Sequence, residues 1–172
     1  MKNEESPINC VVINPKISII IPTHNRANSL SWLLKNIFVL NENINFEIVV
    51  VDNNSKDETK DIVKNFSEKE RYVFEPSTSF TKARYRGAQA AKGDILLYLD
   101  DDVIVNSGTL KEVVRIFSKH SKCAVAGGKI LPSYEQSPPS WVLDLQKKFN
   151  GFSLYDCGNE VKKVDSVPGP IM

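Results

Sequence analysis

The sequence predicts an α/β fold in which a mostly parallel sheet is flanked by helices. Short β-branched runs of strand length alternate with segments whose apolar residues recur at helical spacing, which is the order of repeated strand–helix–strand units. Three of the predicted strands run directly into polar loops, one of which holds three consecutive aspartates. Since ligands bind at the carboxyl ends of the strands in an open parallel sheet, we expect a ligand site at that edge.

Composition points to no particular class of partner. The 172 residues are 41% hydrophobic and 25% charged, enough to bury a core, and the net charge of +1 favours neither nucleic acid nor an acidic membrane surface. Cys10, Cys123 and Cys157 are widely spaced without a metal-ligand pattern, so we expect reduced thiols in the cytoplasm. No apolar run approaches the about 18 residues of a transmembrane span. Attachment at the inner membrane face would depend on something outside this chain.

Two apolar patterns predict the first elements. Residues 17–21 form a continuous β-branched run ended by Pro22, as expected for a strand covered on both faces. A helix with one buried stripe follows. The residues of that stripe are Leu30, Leu33, Leu34, Ile37 and Phe38. Residues 46–51 then form a second buried strand, which ends at Asp52.

The next predicted elements are shorter. Ser55 and Glu58 have the spacing of a capping box that opens a second helix. The residues that this helix buries are Ile62, Val63 and Phe66. A third strand at residues 72–74 leads to a small-residue helix at about residues 82–91. Gly93 is expected to close that helix in the left-handed conformation.

A fourth strand at residues 95–99 leads into the aspartate triplet, residues 100–102. Beyond it, Asn106 or Ser107 is expected to cap another helix. The inward residues of that helix are Leu110, Val113, Val114 and Phe117. Residues 123–126 have the composition of one more strand.

By texture the chain has three parts. Residues 1–16 are a polar N-terminal extension, and residues 17–130 form the α/β domain. Residues 131–172 lose periodicity and are rich in proline, glycine and polar residues, but carry more large apolar side chains than disordered tails usually do. We therefore expect residues 131–172 to begin a second, substrate-facing region that this chain does not complete.

The polar loops at residues 22–26, 52–55 and 100–102 share the predicted carboxyl edge of the sheet. Singly, each loop has an ordinary interpretation as a helix cap or a turn. Together with the acidic triplet they favour a site for Mg²⁺ or Mn²⁺, whose coordination is typically completed by phosphate oxygens. Because adjacent residues on an extended chain point to opposite sides, Asp100 and Asp102 are expected to face one way and Asp101 the other.

The segments ISIIIPTHNR, EIVVVDNNSKDET and TKARYRGAQAAKGDILLYLDDD, in this order and spacing, resemble family 2 glycosyltransferases of the GT-A fold. The resemblance covers about residues 16–130 and, more loosely, 131–172. It implies a nucleotide-diphospho-sugar-binding core followed by an incomplete acceptor-side region. The implied activity is transfer of a sugar, from a UDP-sugar foremost, to a hydroxyl of a saccharide or lipid-linked acceptor, with inversion and with Mn²⁺ or Mg²⁺ as cofactor.

The resemblance also implies roles for individual residues. Pro22 and Thr23 would pack against the nucleotide base, Asp52 would accept a hydrogen bond from it, and Arg84 would lie near the diphosphate. A carboxylate that accepts from an imide N–H selects uracil or thymine over cytosine. The predicted nucleotide-binding residues are Pro22, Thr23, Asn25, Arg26, Asp52, Asn54, Arg84, Asp100 and Asp101, and the predicted metal ligands are Asp102 and Asp100.

The sequence departs from the family pattern at Tyr85, where asparagine is usual, and at Ser79, where glycine is common. His24 is interpreted as a loop-filling residue, with nucleotide contact as the alternative. Residues 167–172 resemble the turn that borders the acceptor site. The family's general base follows that turn, so we expect it beyond Met172 and assign no acid here to the role.

Two other functions fit the sequence less well. A nucleotidyltransferase usually carries a glycine-rich basic loop after the first strand, whereas the corresponding segment, PTHNRANS, has no glycine. A non-catalytic, receiver-like nucleotide-binding module would need its acids and a lysine on strands in another order. A glycosyltransferase donor-binding part that is catalytically weak by itself is the expectation that fits all three loops.

Overall fold

The computed structural model describes residues 15–40, 43–66, 70–134, 136–149, 155–156, 158–165 and 167. Most of the predicted N-terminal extension, Cys10, Phe152, Cys157 and most of the predicted acceptor-side turn lie outside the described residues. The chain forms two compact units, Met1–Ala124 and Val125–Met172. The predicted domain boundaries, between residues 16 and 17 and between residues 130 and 131, stay predictions.

The first unit contains a four-stranded parallel sheet in the order β3-β2-β1-β4. Its strands are β1 (Ile17–Thr23), β2 (Phe46–Asp52), β3 (Glu70–Phe74) and β4 (Ile95–Tyr98). The prediction of a mostly parallel sheet is confirmed. Because β1 and β2 pair from Ile17 with Phe46 to Thr23 with Asp52, they end side by side, and the polar loops that follow start from neighbouring positions.

The core is built from the apolar strands and the helix stripe that the sequence predicts. Every residue of β1 and all but the first of β2 are buried, because helices cover both faces of these inner strands. Helix α1 (Ala27–Val39) buries its predicted leucine and isoleucine stripe. On β4, which has the edge position in the described sheet, Leu96 is 37% exposed.

Pro22 continues β1 instead of ending it, which corrects the predicted boundary. The Ile20 carbonyl accepts from the Leu99 N–H, so it faces β4, whereas the Thr23 carbonyl accepts from Asn53 and faces β2. Because backbone groups alternate in direction along a strand, the backbone of Pro22 also faces β4. Pro22 lies beyond Ile20, whose pair with Tyr98 is the last one between β1 and β4. Proline is tolerated there because no ladder hydrogen bond requires its missing N–H.

Both predicted helix caps are wrong. Helix α2 (Thr59–Phe66) begins after Asp57, whose carboxylate accepts from the backbone N–H and the hydroxyl of Thr59. Ser55 instead accepts from the backbone of Asn25. Helix α4 (Thr109–Lys119) begins after Gly108, which has φ of 85° and replaces the expected side-chain cap at residues 106–107. Competing long-range partners decide which polar residue caps a helix.

The role predicted for Gly93 is also wrong. Helix α3 (Phe80–Ala90) is followed by Ala91, its C-cap, in an extended conformation, and Gly93 is not among the positive-φ glycines of the described chain. Gly93 instead allows a close approach, since a Cβ there would lie 2.6 Å from the Ser18 nitrogen and 2.7 Å from the Lys16 oxygen. This glycine brings the start of β4 against β1.

The second unit contains helix α5 (Ser140–Phe149) and an isolated antiparallel bridge between Ile130 and Tyr155. Residues 123–126 are not a strand, so that prediction is wrong: no ladder partner pairs with them in the described chain. Lys129 forms an ion pair of 2.7 Å with Asp156 beside the bridge. Across the described residues, no helix has the length and apolar character needed to cross a membrane.

Candidate functional site

The three polar loops predicted to share one edge of the sheet do meet there. The Asn53 N–H donates to the Thr23 carbonyl at 2.8 Å, which joins the loops after β2 and β1. The Thr23 hydroxyl donates to Asp101 Oδ2 at 2.7 Å, which joins the loop after β1 to the aspartate triplet. Thr23 and Asp101 are both buried, so this contact forms the floor of the site.

The aspartate triplet does not follow the predicted alternation. Arg26 Nη1 lies 3.2 Å from Asp101 Oδ1 and 2.5 Å from Asp102 Oδ2, so both carboxylates converge on one guanidinium nitrogen. The chain turns at residues 101–102, and the extended geometry on which the prediction was based ends before them. Asp101 is buried, whereas the Asp102 side chain is 56% exposed and open to ligands.

The charges of this cluster depend on one another. Burial raises the pKa of Asp101, and the hydrogen bond from Thr23 and the charge of Arg26 only partly offset this effect. The hydrogen bond to Asp102 and the charge of Asp101 raise the pKa of Arg26 in turn. The triplet therefore needs a nearby cation, and Arg26 supplies one.

Arg84 and Asp100 form a second pair beside the first. Arg84 Nη2 donates to Asp100 Oδ1 at 3.2 Å. The guanidinium carbon lies 4.3 Å from the centroid of the Phe80 ring and 5.6 Å from that of Tyr98. These rings restrict the Arg84 side chain, which is 17% exposed, and hold its donors next to the triplet.

Asp52 is buried and oriented by two donors. The Ser55 N–H donates to Oδ1 at 2.7 Å, and the Tyr72 hydroxyl donates to Oδ2 at 2.6 Å. Burial and the hydrogen bond to Asp52 raise the pKa of Tyr72, so the phenol remains a donor at neutral pH. Sequence reasoning missed Tyr72. The signal that could have found it is the alignment of β3 with β2. Tyr72 pairs with Val50, and Val50 lies on the same face of β2 as Asp52, so the Tyr72 and Asp52 side chains share one face of the sheet.

His24 and Asn25 fix the loop after β1. His24 Nδ1 donates to the Asn53 carbonyl at 2.8 Å, which leaves Nε2 to accept from the Asn25 amide at 3.0 Å. Asn25, with φ of 53°, also accepts from the Lys56 N–H at 2.7 Å. These contacts agree with the loop-filling interpretation of His24. They also occupy the side chain of Asn25, whose nucleotide contact stays a prediction.

Asn54 and Pro22 lie at the same edge. Asn54 has φ of 67°, and its side-chain oxygen accepts from Lys56 Nζ at 3.2 Å. Pro22 is buried within β1. The structure thus brings all predicted nucleotide-binding and metal residues to one sheet edge, and their roles toward a ligand stay predictions.

Glu75, after β3, is a further acid at this edge that the sequence did not single out. It accepts from the Ser77 hydroxyl at 2.6 Å, from the Ser77 N–H at 3.0 Å and from Arg86 Nε at 2.9 Å. These donors lower the pKa of Glu75 to about 2. Arg86 is half-exposed and paired with this acid.

The carboxylate oxygens of the triplet are ligands suited to a hard divalent cation. Among the described residues, however, no group of three His, Cys, Asp or Glu side chains is arranged to hold a metal ion. Mg²⁺ commonly binds through one or two carboxylates together with water and substrate phosphates. Asp102 and the 28% exposed Asp100 meet that requirement. Asp101 is less suited, because its side chain is 8% exposed, against 56% for Asp102 and 28% for Asp100.

Comparison with known proteins gives the family. The sequence profile of glycosyl transferase family 2 matches residues 18–165. A GalNAc(5)-diNAcBac-PP-undecaprenol beta-1,3-glucosyltransferase from Campylobacter jejuni is 32% identical over 88% of this chain and 47% of its own length. A validoxylamine A glucosyltransferase from Streptomyces hygroscopicus is 32% identical over 58% of this chain and 25% of its own length.

The fold is shared with a solved glycosyltransferase structure. The crystal structure of S. aureus TarS 1-349 in complex with UDP-GlcNAc has a TM-score of 0.55 and 27% identity. The match covers 69% of this chain and 37% of the TarS chain, so this chain spans less than half the length of each of these three proteins. The profile match, the relatives and the GT-A type sheet agree: the chain belongs to glycosyl transferase family 2.

Proposed function

We propose that this chain binds a nucleoside-diphosphate sugar at the carboxyl edge of its sheet, as the donor-binding part of an inverting glycosyltransferase. The observation that carries the proposal is the junction of the three polar loops through Thr23, Asn53 and Asp101. The UDP-GlcNAc complex of the structurally similar TarS supports a UDP-sugar as the donor. The name of the Campylobacter relative, which specifies GalNAc(5)-diNAcBac-PP-undecaprenol, supports a saccharide or lipid-linked acceptor.

Asp52 is the residue we assign to the base. Its two oxygens each have one protein donor, and each carboxylate oxygen has a second lone pair that an imide N–H can use. Uracil presents such an N–H, whereas cytosine presents an acceptor at the same ring position. Asp52 would therefore favour uridine over cytidine nucleotides, with Pro22 and Thr23 packed against the ring.

Asp102 and Asp100 are the residues we assign to Mn²⁺ or Mg²⁺. The cation would stabilise the charge that develops on the diphosphate as the sugar leaves. Arg84 presents its donors toward the same charge, held in place by the rings of Phe80 and Tyr98. The acceptor hydroxyl would attack the anomeric carbon from the opposite face.

We assign no general base to a residue of this chain, since the family pattern has it after the turn that residues 167–172 resemble. General-base assistance typically contributes about 10²–10⁴-fold to the rate. We therefore expect the 172-residue chain to bind donor nucleotide but to transfer sugar slowly, and a C-terminally extended form to be faster. Equal rates for the two forms would contradict this expectation.

Calorimetric titration of the 172-residue chain with nucleoside diphosphates tests the donor site. We expect UDP to bind in the presence of Mn²⁺ with higher affinity than GDP, ADP or CDP. An Asp52→Asn variant should lose the preference for UDP over CDP while keeping its fold by circular dichroism. A folded wild-type sample that binds none of the four nucleotides, with or without Mn²⁺, would overturn the proposed function.

A further inference from the structure

Arg26 and Arg84 hold the aspartate triplet in different ways. Arg84 is 17% exposed and restricted by two aromatic rings. Arg26 immediately precedes α1, and its side chain is 52% exposed. It contacts the triplet through a single terminal nitrogen, Nη1. Arg84 is thus built into the wall of the site, whereas Arg26 is able to turn away from it.

Arg26 Nη1 has the position of a bridging cation. It lies 2.5 Å from Asp102 Oδ2 and 3.2 Å from Asp101 Oδ1, between carboxylates contributed by consecutive residues. A divalent ion bound to Asp102 would lie beside the guanidinium charge, and the two cations repel each other. The guanidinium and the divalent ion therefore compete for Asp102.

Charge balance makes this competition unfavourable for a metal ion arriving alone. The three carboxylates of the triplet face two guanidinium groups, so most of their negative charge is already balanced and a free cation is attracted only by the remainder. Displacing Arg26 would leave its charge without a partner. A diphosphate changes this balance because it offers new oxygens to the guanidinium that the metal displaces.

We propose that Arg26 couples metal binding to donor binding: it occupies the carboxylates of Asp101 and Asp102 in the free chain and moves to the diphosphate when the metal takes its place on Asp102. The inference rests on the proposed donor site. Free Mn²⁺ then binds weakly, UDP strengthens Mn²⁺ binding, and by linkage Mn²⁺ strengthens UDP binding by the same factor.

The coupling factor is measured as the ratio of the Mn²⁺ dissociation constants without and with saturating UDP, by calorimetry or by electron paramagnetic resonance of free Mn²⁺. In Arg26→Gln we expect Mn²⁺ to bind the nucleotide-free chain about tenfold more tightly, because a charge-assisted hydrogen bond no longer opposes it. The coupling factor should fall toward one. Arg26→Lys, which retains the charge, should restore much of the wild-type coupling.

Arg115→Gln is the matched control, because it removes the same charge from an exposed arginine paired with Glu112 in α4. It should leave both Mn²⁺ constants unchanged. Arg26→Met provides a second neutral variant that keeps most of the side-chain stem, and circular dichroism checks the fold of each protein. If Arg26→Gln does not fold, Arg26→Met carries the same expectation.

The outcomes separate this inference from the proposed function. UDP and Mn²⁺ binding to the wild type with no mutual enhancement would overturn the inference alone, as would an unchanged coupling factor in both neutral variants. Absence of UDP binding to the folded wild type under all metal conditions would overturn the proposed function, and the role of Arg26 with it. Tighter free Mn²⁺ binding with reduced coupling would support both.

Discussion

The two ends of the parallel sheet both hold acidic side chains, but they hold them differently. At the amino end, Glu47 is buried and its carboxylate accepts from the Ser18 hydroxyl and the Lys92 N–H, each at 2.6 Å. Lys16 and Arg71 complete its partners at 3.2 and 3.5 Å. The acid is surrounded by donors from the sheet and from the segments that adjoin it, and no ligand is needed to balance it.

At the carboxyl end, the acid assigned to the metal is exposed, and a ligand can displace its partner. Asp102 is 56% exposed and its donor is the half-exposed Arg26. Where an acid is enclosed by fixed donors, it stabilises the fold. Where it is held by a side chain that can leave, it is available to a ligand. This difference distinguishes the structural end of the sheet from the proposed donor site.

Replacing Asp102 should give the largest effect on binding and should leave stability nearly unchanged. We expect Asp102→Asn to weaken Mn²⁺-dependent UDP binding by at least about 100-fold, since even changes next to a metal ligand typically cost about 10–100-fold. The free energy of unfolding should change by less than about 0.5 kcal/mol, as is usual at exposed positions. Calorimetry and urea denaturation measure the two quantities.

Glu112→Gln is the matched control for Asp102→Asn, because Glu112 is 54% exposed and is also paired with an arginine. It should change neither quantity. Equal UDP affinity in Asp102→Asn and Glu112→Gln would remove the distinction drawn between the two ends of the sheet.

A substitution at the amino end should lower stability and leave ligand binding nearly unchanged. Gly93→Ala places a methyl group against the backbone of residues 16 and 18, so we expect a loss of about 2–3 kcal/mol in the free energy of unfolding. The folded fraction should bind UDP and Mn²⁺ as the wild type does. Urea denaturation that shows unchanged stability would contradict the close packing described for this end.

Tyr72→Phe should have a smaller effect, confined to recognition of the nucleotide base. Loss of the hydroxyl that orients Asp52 removes a hydrogen bond worth about 1 kcal/mol, so UDP affinity should fall about fivefold and discrimination against CDP should narrow. Tyr85→Phe, which alters a 64% exposed tyrosine, is the control and should keep both values. If the two variants retain the same UDP to CDP ratio, Tyr72 does not act through Asp52.

Acid should weaken the fold through Glu75. Hydrogen bonds from Ser77 and the ion pair with Arg86 lower the pKa of Glu75 from 4.5 to about 2 in the folded chain. Between these values the unfolded chain binds more protons, so the contribution to stability is present above pH 4.5 and is lost as the pH falls toward 2. Thermal denaturation from pH 6 to about 2.5 should show a shallower loss in Glu75→Gln than in the wild type.

The sequence predicts the sheet and the location of the site because both depend on local patterns. Buried parallel strands appear as continuous apolar runs, and the ends of β1 and β2 carry Thr23 and Asp52 to adjacent positions by register alone. The amphipathic stripe of α1 is equally local. These features allow the loops after β1, β2 and β4 to be assigned to one edge before any contact is known.

Contacts between distant residues could not be predicted in the same way. The turn at residues 101–102 brings two neighbouring aspartates onto Arg26, some 75 positions earlier in the chain. Asp57 accepts from Ala27 at the start of α1 as well as from Thr59, which explains why it displaces the predicted Ser55 cap. Such choices depend on which partners the fold brings near, and residue spacing alone does not contain that information.

Nuclear magnetic resonance of the ¹⁵N-labelled chain with UDP and Mn²⁺ tests the central claim most directly, because the paramagnetic ion broadens the amide signals closest to it. The account predicts that signals of residues 24–26, 53–55 and 100–102 are lost first, and that those of Glu47, Lys92 and Gly93 at the amino end persist. Broadening that is strongest at the amino end, or evenly spread over both ends, would contradict a donor site at the carboxyl edge of the sheet.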